Sequence, residues 1–188
     1  MTSSGGLFRR MLRAMQLQAP FYEEIEADTA ATPQALLVVV LVALATGIGT
    51  GLDALLAGGA GRFLYGLLYG VGAAIVGWLL WALFAYVFGV SILKGPQTSS
   101  TWGELLRTMG FANSPGVLRI FAFIPGVGTV LTVAASIWSL AATIIAIRQA
   151  LDFSTWRAII TALIGWIAYM VLLLLMMSFA GGSTPVYF

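Results

Sequence analysis

Chemistry at a protein site falls mostly to imidazole, thiol, carboxylate, amine and guanidinium groups, and this sequence has neither Cys nor His. Haem, zinc and copper sites lose their usual ligands, and disulfide or thiolate chemistry is excluded. Seven carboxylates and nine cations remain. Four of the carboxylates lie together in the stretch FYEEIEAD at 21–28: Glu23, Glu24, Glu26 and Asp28. Such a cluster beside a membrane suits a cation or a basic partner, and paired carboxylates suit acid–base work. The plain alternative is a solvated juxtamembrane segment that neutralises nearby arginines. Glu104, Arg107 and Arg119 are the residues around which a polar cavity for catalysis would have to form. No apolar segment holds a nucleophile with a base beside it. Asp53 and Arg62 close the facing ends of two apolar runs, where they can pair.

These few groups must be positioned by a chain made for lipid. Only 9% of the 188 residues are charged and 60% are apolar, with mean hydropathy +0.99. A soluble domain carries about 25% charged residues, so a soluble enzyme, a disordered chain and a nucleic-acid binder are excluded as first readings. Apolar runs occupy 36–57, 63–93, 115–124, 129–149 and 158–180. About 20 residues at ~1.5 Å each cross a hydrocarbon layer of ~30 Å. The third run is short, and its helix is expected to start earlier, at 104–109, and to break near Asn113-Ser114-Pro115. Pro125-Gly126-Val127-Gly128 signals a turn after it.

Charge placement orients the layout. With five crossings, the side holding the N-terminus carries eight cations and the other side only Arg62. That asymmetry puts the N-terminus in the cytoplasm and the C-terminus outside. A re-entrant hairpin at 116–129 leaves four crossings and a weaker division, six against three. Arg119, one turn into the third run, is expected to snorkel to the cytoplasm.

Residues 7–18, LFRRMLRAMQLQ, set Phe8, Met11, Leu12 and Met15 on one helical face, with Arg9, Arg13 and Gln16 off it. The pattern predicts a short interfacial helix with its arginines near anionic lipid. Small residues four apart, Gly47 and Gly51 in the first run and Gly66, Gly70, Ala73 and Gly77 in the second, give flat stripes for close helix packing. They pack internally or at a homodimer seam. No strand precedes them and no Lys-Ser/Thr follows, so they are not phosphate loops. Trp102 and Trp156 fall where interfacial anchors belong.

Several pieces together resemble the Yip domain family, integral membrane proteins that interact with Ypt/Rab GTPases. They are Phe21-Tyr22-Glu23-Glu24-Ile25 before the first run, Gly110-Phe111-Ala112-Asn113-Ser114-Pro115 before the third, Ile137-Trp138-Ser139-Leu140 and Ile147-Arg148-Gln149-Ala150 in the fourth, and Ser154 to Ala158 before the fifth. The resemblance covers most of 20–180. It implies five helices with a cytoplasmic N-terminus and a role in organising membranes. Ser91-Ile92-Leu93-Lys94 replaces the acidic residues that precede Gly-Pro in the eukaryotic branch, so the chain looks more like the prokaryotic one.

The sequence therefore predicts an all-α, polytopic transmembrane helical bundle of five spans. It divides into a cytoplasmic amphipathic and acidic segment at 1–31, a Yip-like transmembrane domain at 32–181 and a short tail at 182–188. The expected function is that of a non-enzymatic scaffold or accessory subunit in the cell membrane, acting through helix–helix contacts. The alternative is a protein that transports lipids or small solutes. Expected partners are membrane lipids and either other membrane proteins or further copies of the chain, with no nucleic acid and no cofactor. The residues expected to matter are Gly47, Gly51, Gly66, Gly70 and Gly77 for packing, Gly110, Phe111 and Pro115 in the family motif, and the acidic Glu23, Glu24 and Glu26.

Overall fold

The computed structural model describes residues 6–56, 59–95, 98 and 100–181, so the 182–188 tail and Pro96 lie outside the described residues, as does the Asp53 side chain. All regular structure among the described residues is helical. The α-helices are α1 (Leu7–Met15), α2 (Ala19–Ala27), α3 (Thr32–Leu56), α4 (Ala60–Ser91), α5 (Trp102–Ala112), α6 (Val127–Ala150) and α7 (Thr155–Gly181). A ten-residue 3₁₀ helix, Ser114–Phe123, joins α5 to α6.

Among the described residues, four helices are long and apolar enough to cross a membrane: Thr29–Leu52, Ala60–Ser91, Val127–Ala150 and Thr155–Met176. The short third run is built differently. Thr101 and Glu104 start α5 with a reciprocal capping box, the Thr101 amide donating to Glu104 Oε2 at 2.8 Å. At its other end Asn113 Nδ2 donates to the Met109 carbonyl at 2.9 Å and the Ser114 hydroxyl to the Phe111 carbonyl at 2.6 Å. Those carbonyls are then taken, and Pro115 has no N–H to continue an α-helix. The chain goes on as a 3₁₀ helix, rising ~2.0 Å per residue rather than ~1.5 Å. The eleven residues of α5 and ten of the 3₁₀ helix together cover roughly 36 Å, the same as the 24 residues of α6.

Paired positions give the directions. Ala35, Val42 and Gly49 of α3 meet Gly110, Gly116 and Arg119 in that order, so α3 and the α5–3₁₀ segment run parallel. Gly47 meets Leu67 and Gly51 meets Phe63, so α4 runs back. Gly77 meets Tyr169 and Gly165 meets Ala85, so α7 runs parallel to α3. Gly126, at φ 76°, turns the chain into α6, which returns along the α5–3₁₀ segment. One pole of the bundle holds α1, α2 and the loops before α5 and α7. The other holds the end of α3, the start of α4 and the turn at 125–126.

The core sits toward the first pole. Phe21, Tyr22, Ile25, Leu105, Phe111 and Ile147 are fully buried there, so α2 belongs to the same packed unit as the long helices. The helix predicted over 7–18 exists as α1, but Arg10 and Arg13 turn to carboxylates of the chain while Arg9 stays exposed. Arg10 Nη2 meets Asp28 Oδ2 at 2.8 Å and Arg13 Nη1 meets Glu24 Oε2 at 2.7 Å, while Arg13 also lies 4.9 Å over the Phe21 ring. Fixed carboxylates at contact distance outcompete a salt-screened lipid surface. Met11 is buried with Arg10, and Phe8 and Leu12 face outward.

Candidate functional site

Two regions assemble residues from distant parts of the sequence. The first is the junction at the N-terminal pole. Phe21 packs edge-on against Tyr22 at 5.5 Å and against Phe111 at 5.7 Å, joining two motif pieces 90 residues apart. Gly110 lies on α3, where a Cβ would sit 2.7 Å from the Ala35 Cβ and 3.2 Å from its backbone. Pro115 is fully buried. The Arg107 guanidinium, buried, donates through Nε to the Ile25 carbonyl at 3.2 Å and through Nη2 to the Glu26 carbonyl. It thus holds the C-terminal end of α2, where helix carbonyls lack intrahelical donors.

The acidic residues are spread among separate partners. Glu24 pairs with Arg13, Asp28 with Arg10, and Glu23 accepts from Gln149 Nε2 at 2.6 Å. No group of three potential metal ligands converges among the described residues. Glu104, Arg107 and Arg119 likewise form no common cavity: Glu104 caps α5, Arg107 clamps α2, and Arg119 lies further along the 3₁₀ helix.

Glu26 is the exception in this cluster, with its carboxyl pushed up to about 7. Burial is the main cause; the negative charges of Glu104, Asp152 and Glu23 add to it, and Arg107 opposes it. Folding therefore favours the protonated form. The folded chain binds a proton that the unfolded chain, titrating near 4.5, has released, so stability falls as pH rises from about 4.5 to about 7 and is level above that. Glu26→Gln is expected to flatten this fall, raising the melting temperature at pH 8 but not at pH 4. Melting curves of the detergent-solubilised chain across that range check it, and parallel curves for both proteins would remove the assignment.

The second region is a groove in the bundle's middle. A cavity of about 540 Å³ lies among α3, α4, α7 and the 3₁₀ helix, and one of about 380 Å³ adjoins it against α6. Both are lined by Trp81, Asn113, Arg119 and Trp166. The five packing glycines divide here. Gly47 and Gly51 seat the Leu67 and Phe63 side chains, and Gly77 seats Tyr169. Gly66 and Gly70 meet nothing within 4 Å and instead form the open wall of the larger cavity.

Arg119 departs from expectation. It does not reach the N-terminal pole: the α5–3₁₀ segment starts at Trp102, so Arg119 lies 17 residues along it. Residues three apart eclipse in a 3₁₀ helix, so Arg119 shares a column with Gly116, and its Nη1 lies 3.4 Å from where a Cβ there would be. Nη2 donates to the Ser136 hydroxyl at 3.1 Å. Ser136 is nine residues, about 14 Å, along α6 from Val127. The guanidinium is thus held at mid-length of the bundle, against a Ser136 that is itself exposed. Nothing in the apolar run around Arg119 marks it in sequence, because the signal is the start of the segment and not the residue.

Helices of this length and apolarity, packed around a groove, define a polytopic α-helical integral membrane protein. The family model of the Yip1 domain matches residues 16–177. The chain belongs to the Yip1 domain family. No curated protein and no solved structure gives a match.

Proposed function

We propose that this Yip1-domain protein is a non-enzymatic scaffold or accessory subunit of the cell membrane, of the prokaryotic branch, crossing five times with its N-terminus in the cytoplasm. The observation that carries the scaffold reading is the bare first half of α4. Gly61, Gly66, Gly70 and Gly72 have open space where a Cβ would stand, beside exposed Tyr65 and Tyr69 stacked at 6.4 Å. Small residues let another helix approach closely in lipid. Mass measurement after gentle solubilisation is expected to give an assembly larger than one chain; a strict monomer without co-purifying partners would remove the reading.

Charge supports the orientation. Seven of the nine cations belong to the N-terminal pole, Arg62 to the other, and Arg119 lies between. The parallel course of α3, the α5–3₁₀ segment and α7 supports an odd number of crossings. Reporter fusions at the two termini are expected to read opposite compartments, and one shared compartment would overturn the layout. A second reading, movement of lipid or solute, draws on the irregular backbone of Ser114–Phe123 beside the cavities. Its test is flux in reconstituted vesicles, and flux at the level of empty vesicles removes it.

A further inference from the structure

We propose that the central groove is a binding site for an acidic phospholipid, with the anionic headgroup on Arg119 in the smaller cavity and an acyl chain in the larger. The site shares Gly66 and Gly70 with the scaffold reading but does not rest on it, since a bound lipid need neither move nor recruit a partner.

Three observations converge. The first is an unbalanced charge. Arg10 and Arg13 each meet a carboxylate within 2.8 Å, and Arg107 is satisfied by two carbonyls. Arg119, half-buried in the middle of the bundle, has one protein acceptor, the neutral Ser136 hydroxyl, and pairs with no carboxylate among the described residues. A guanidinium carries five N–H donors, and a charge at membrane depth needs a counter-charge or a wet cavity. An anion entering from the lipid supplies the first.

The second is an orphaned hydroxyl beside it. Ser139 Oγ is buried and has no hydrogen-bond partner, and Ser139 lines the smaller cavity with Arg119 and Ser136. One turn apart on α6, the two serines share a face. Ser136 already donates to the Thr132 carbonyl at 2.8 Å, whereas the Ser139 O–H is a neutral donor without a partner. Guanidinium with hydroxyl is the donor set that suits a phosphate oxygen.

The third is the shape and polarity of the larger cavity. Its wall is the Gly66, Gly70, Ala73 and Gly77 stripe of α4, with Val39 and Val42 opposite. The Thr46 and Thr50 hydroxyls that face it donate to their own helix, to the Val42 and Thr46 carbonyls at 2.8 Å each. The Trp81 indole N–H is taken by the Ala162 carbonyl at 3.3 Å. Asn113, Trp166 and Tyr169 bring polar atoms to the far side, but the wall formed by α3 and α4 offers contact and few donors, which fits an alkyl chain. About 540 Å³ lies within the ~300–1,000 Å³ common for ligand sites. Gly66 and Gly70 are themselves exposed, so the groove opens sideways between helices, where a phospholipid can enter.

Native mass spectrometry of the full chain, stripped of lipid and titrated with phosphatidylglycerol or phosphatidylcholine of the same chain length, tests the proposal. Wild-type protein is expected to hold one phosphatidylglycerol at least tenfold more tightly than phosphatidylcholine. Arg119→Gln is expected to abolish that preference, Ser139→Ala to reduce it several-fold, and Arg119→Lys to keep part of it. Gly70→Leu, which has room for its side chain, is expected to weaken both lipids by filling the chain groove. Equal affinity of the wild type for the two lipids overturns the proposal without any variant. So does an Arg119→Gln protein that keeps the preference. Displacement of phosphatidylglycerol by millimolar inorganic phosphate, with Gly70→Leu without effect, would make this a free-anion site and overturn the lipid assignment.

Discussion

Gly49→Val is expected to leave little folded protein. At Gly49 the backbone of α3 lies against the 3₁₀ helix, so a Cβ would collide with the Arg119 carbonyl oxygen and press on the Ile120 carbonyl at 3.0 Å. Overpacking a core by flexible side chains costs about 1–3 kcal/mol. Here both colliding partners are backbone, and relief requires moving one helix off another, so the loss is expected at or above about 3 kcal/mol. Gly66→Val on the open wall is the control, expected within about 0.5 kcal/mol of wild type. Yield of monodisperse protein and melting temperature in detergent check both. Equal melting of Gly49→Val and wild type would mean that the two segments do not approach this closely.

Arg107→Ala is expected to release α2 from the bundle. The substitution empties a buried site and leaves the Ile25 and Glu26 carbonyls without their charged donor. Hydrogen bonds to a charged group contribute about 1.5–3 kcal/mol each, and because these two share one side chain their loss is expected to total about 3 kcal/mol. Protease cleavage should then appear within residues 16–28 while the long helices stay protected. Arg107→Lys, with a single point charge, cannot serve both carbonyls in the same fork geometry and should fall between. The same change has an electrostatic signature. Release also exposes Glu26, whose raised titration rests chiefly on burial, so the pH-dependent step should fall from about 7 towards about 4.5. A step that stays near 7 would show that α2 remains docked without Arg107.

How far the sequence carries the reading differs from element to element. The four long helices are legible because each is a near-continuous apolar run, and the break at Asn113-Ser114-Pro115 is legible because proline chemistry is local. The 3₁₀ form of the next ten residues is not legible, since it depends on packing between α3 and α6 and not on propensity. The glycines illustrate the same limit. Gly47 and Gly51 stand out by four-residue spacing, yet they seat side chains, which can shift. Gly49 and Gly128, which lie against backbone, have no glycine four residues away. Spacing within one helix marks a smooth face, whereas the tightest contact depends on the partner's register. The acidic cluster was visible in composition, and the neutralisation of arginines was one of its expected roles; Arg10–Asp28 and Arg13–Glu24 fill that role. The elevated Glu26 was not visible, because Glu104 and Asp152 approach it from far along the chain.

The ten tightly wound residues at Ser114–Phe123 also decide how often the described helices reverse direction. Drawn out to ~2.0 Å per residue, they reach the far pole before the turn at Gly126, so the polypeptide reverses direction four times between Thr32 and Gly181. Had the segment doubled back halfway, start and finish would be neighbours. Instead Thr32 and Gly181 are held a full bundle length apart, and a regulator grasping one is out of arm's reach of the other.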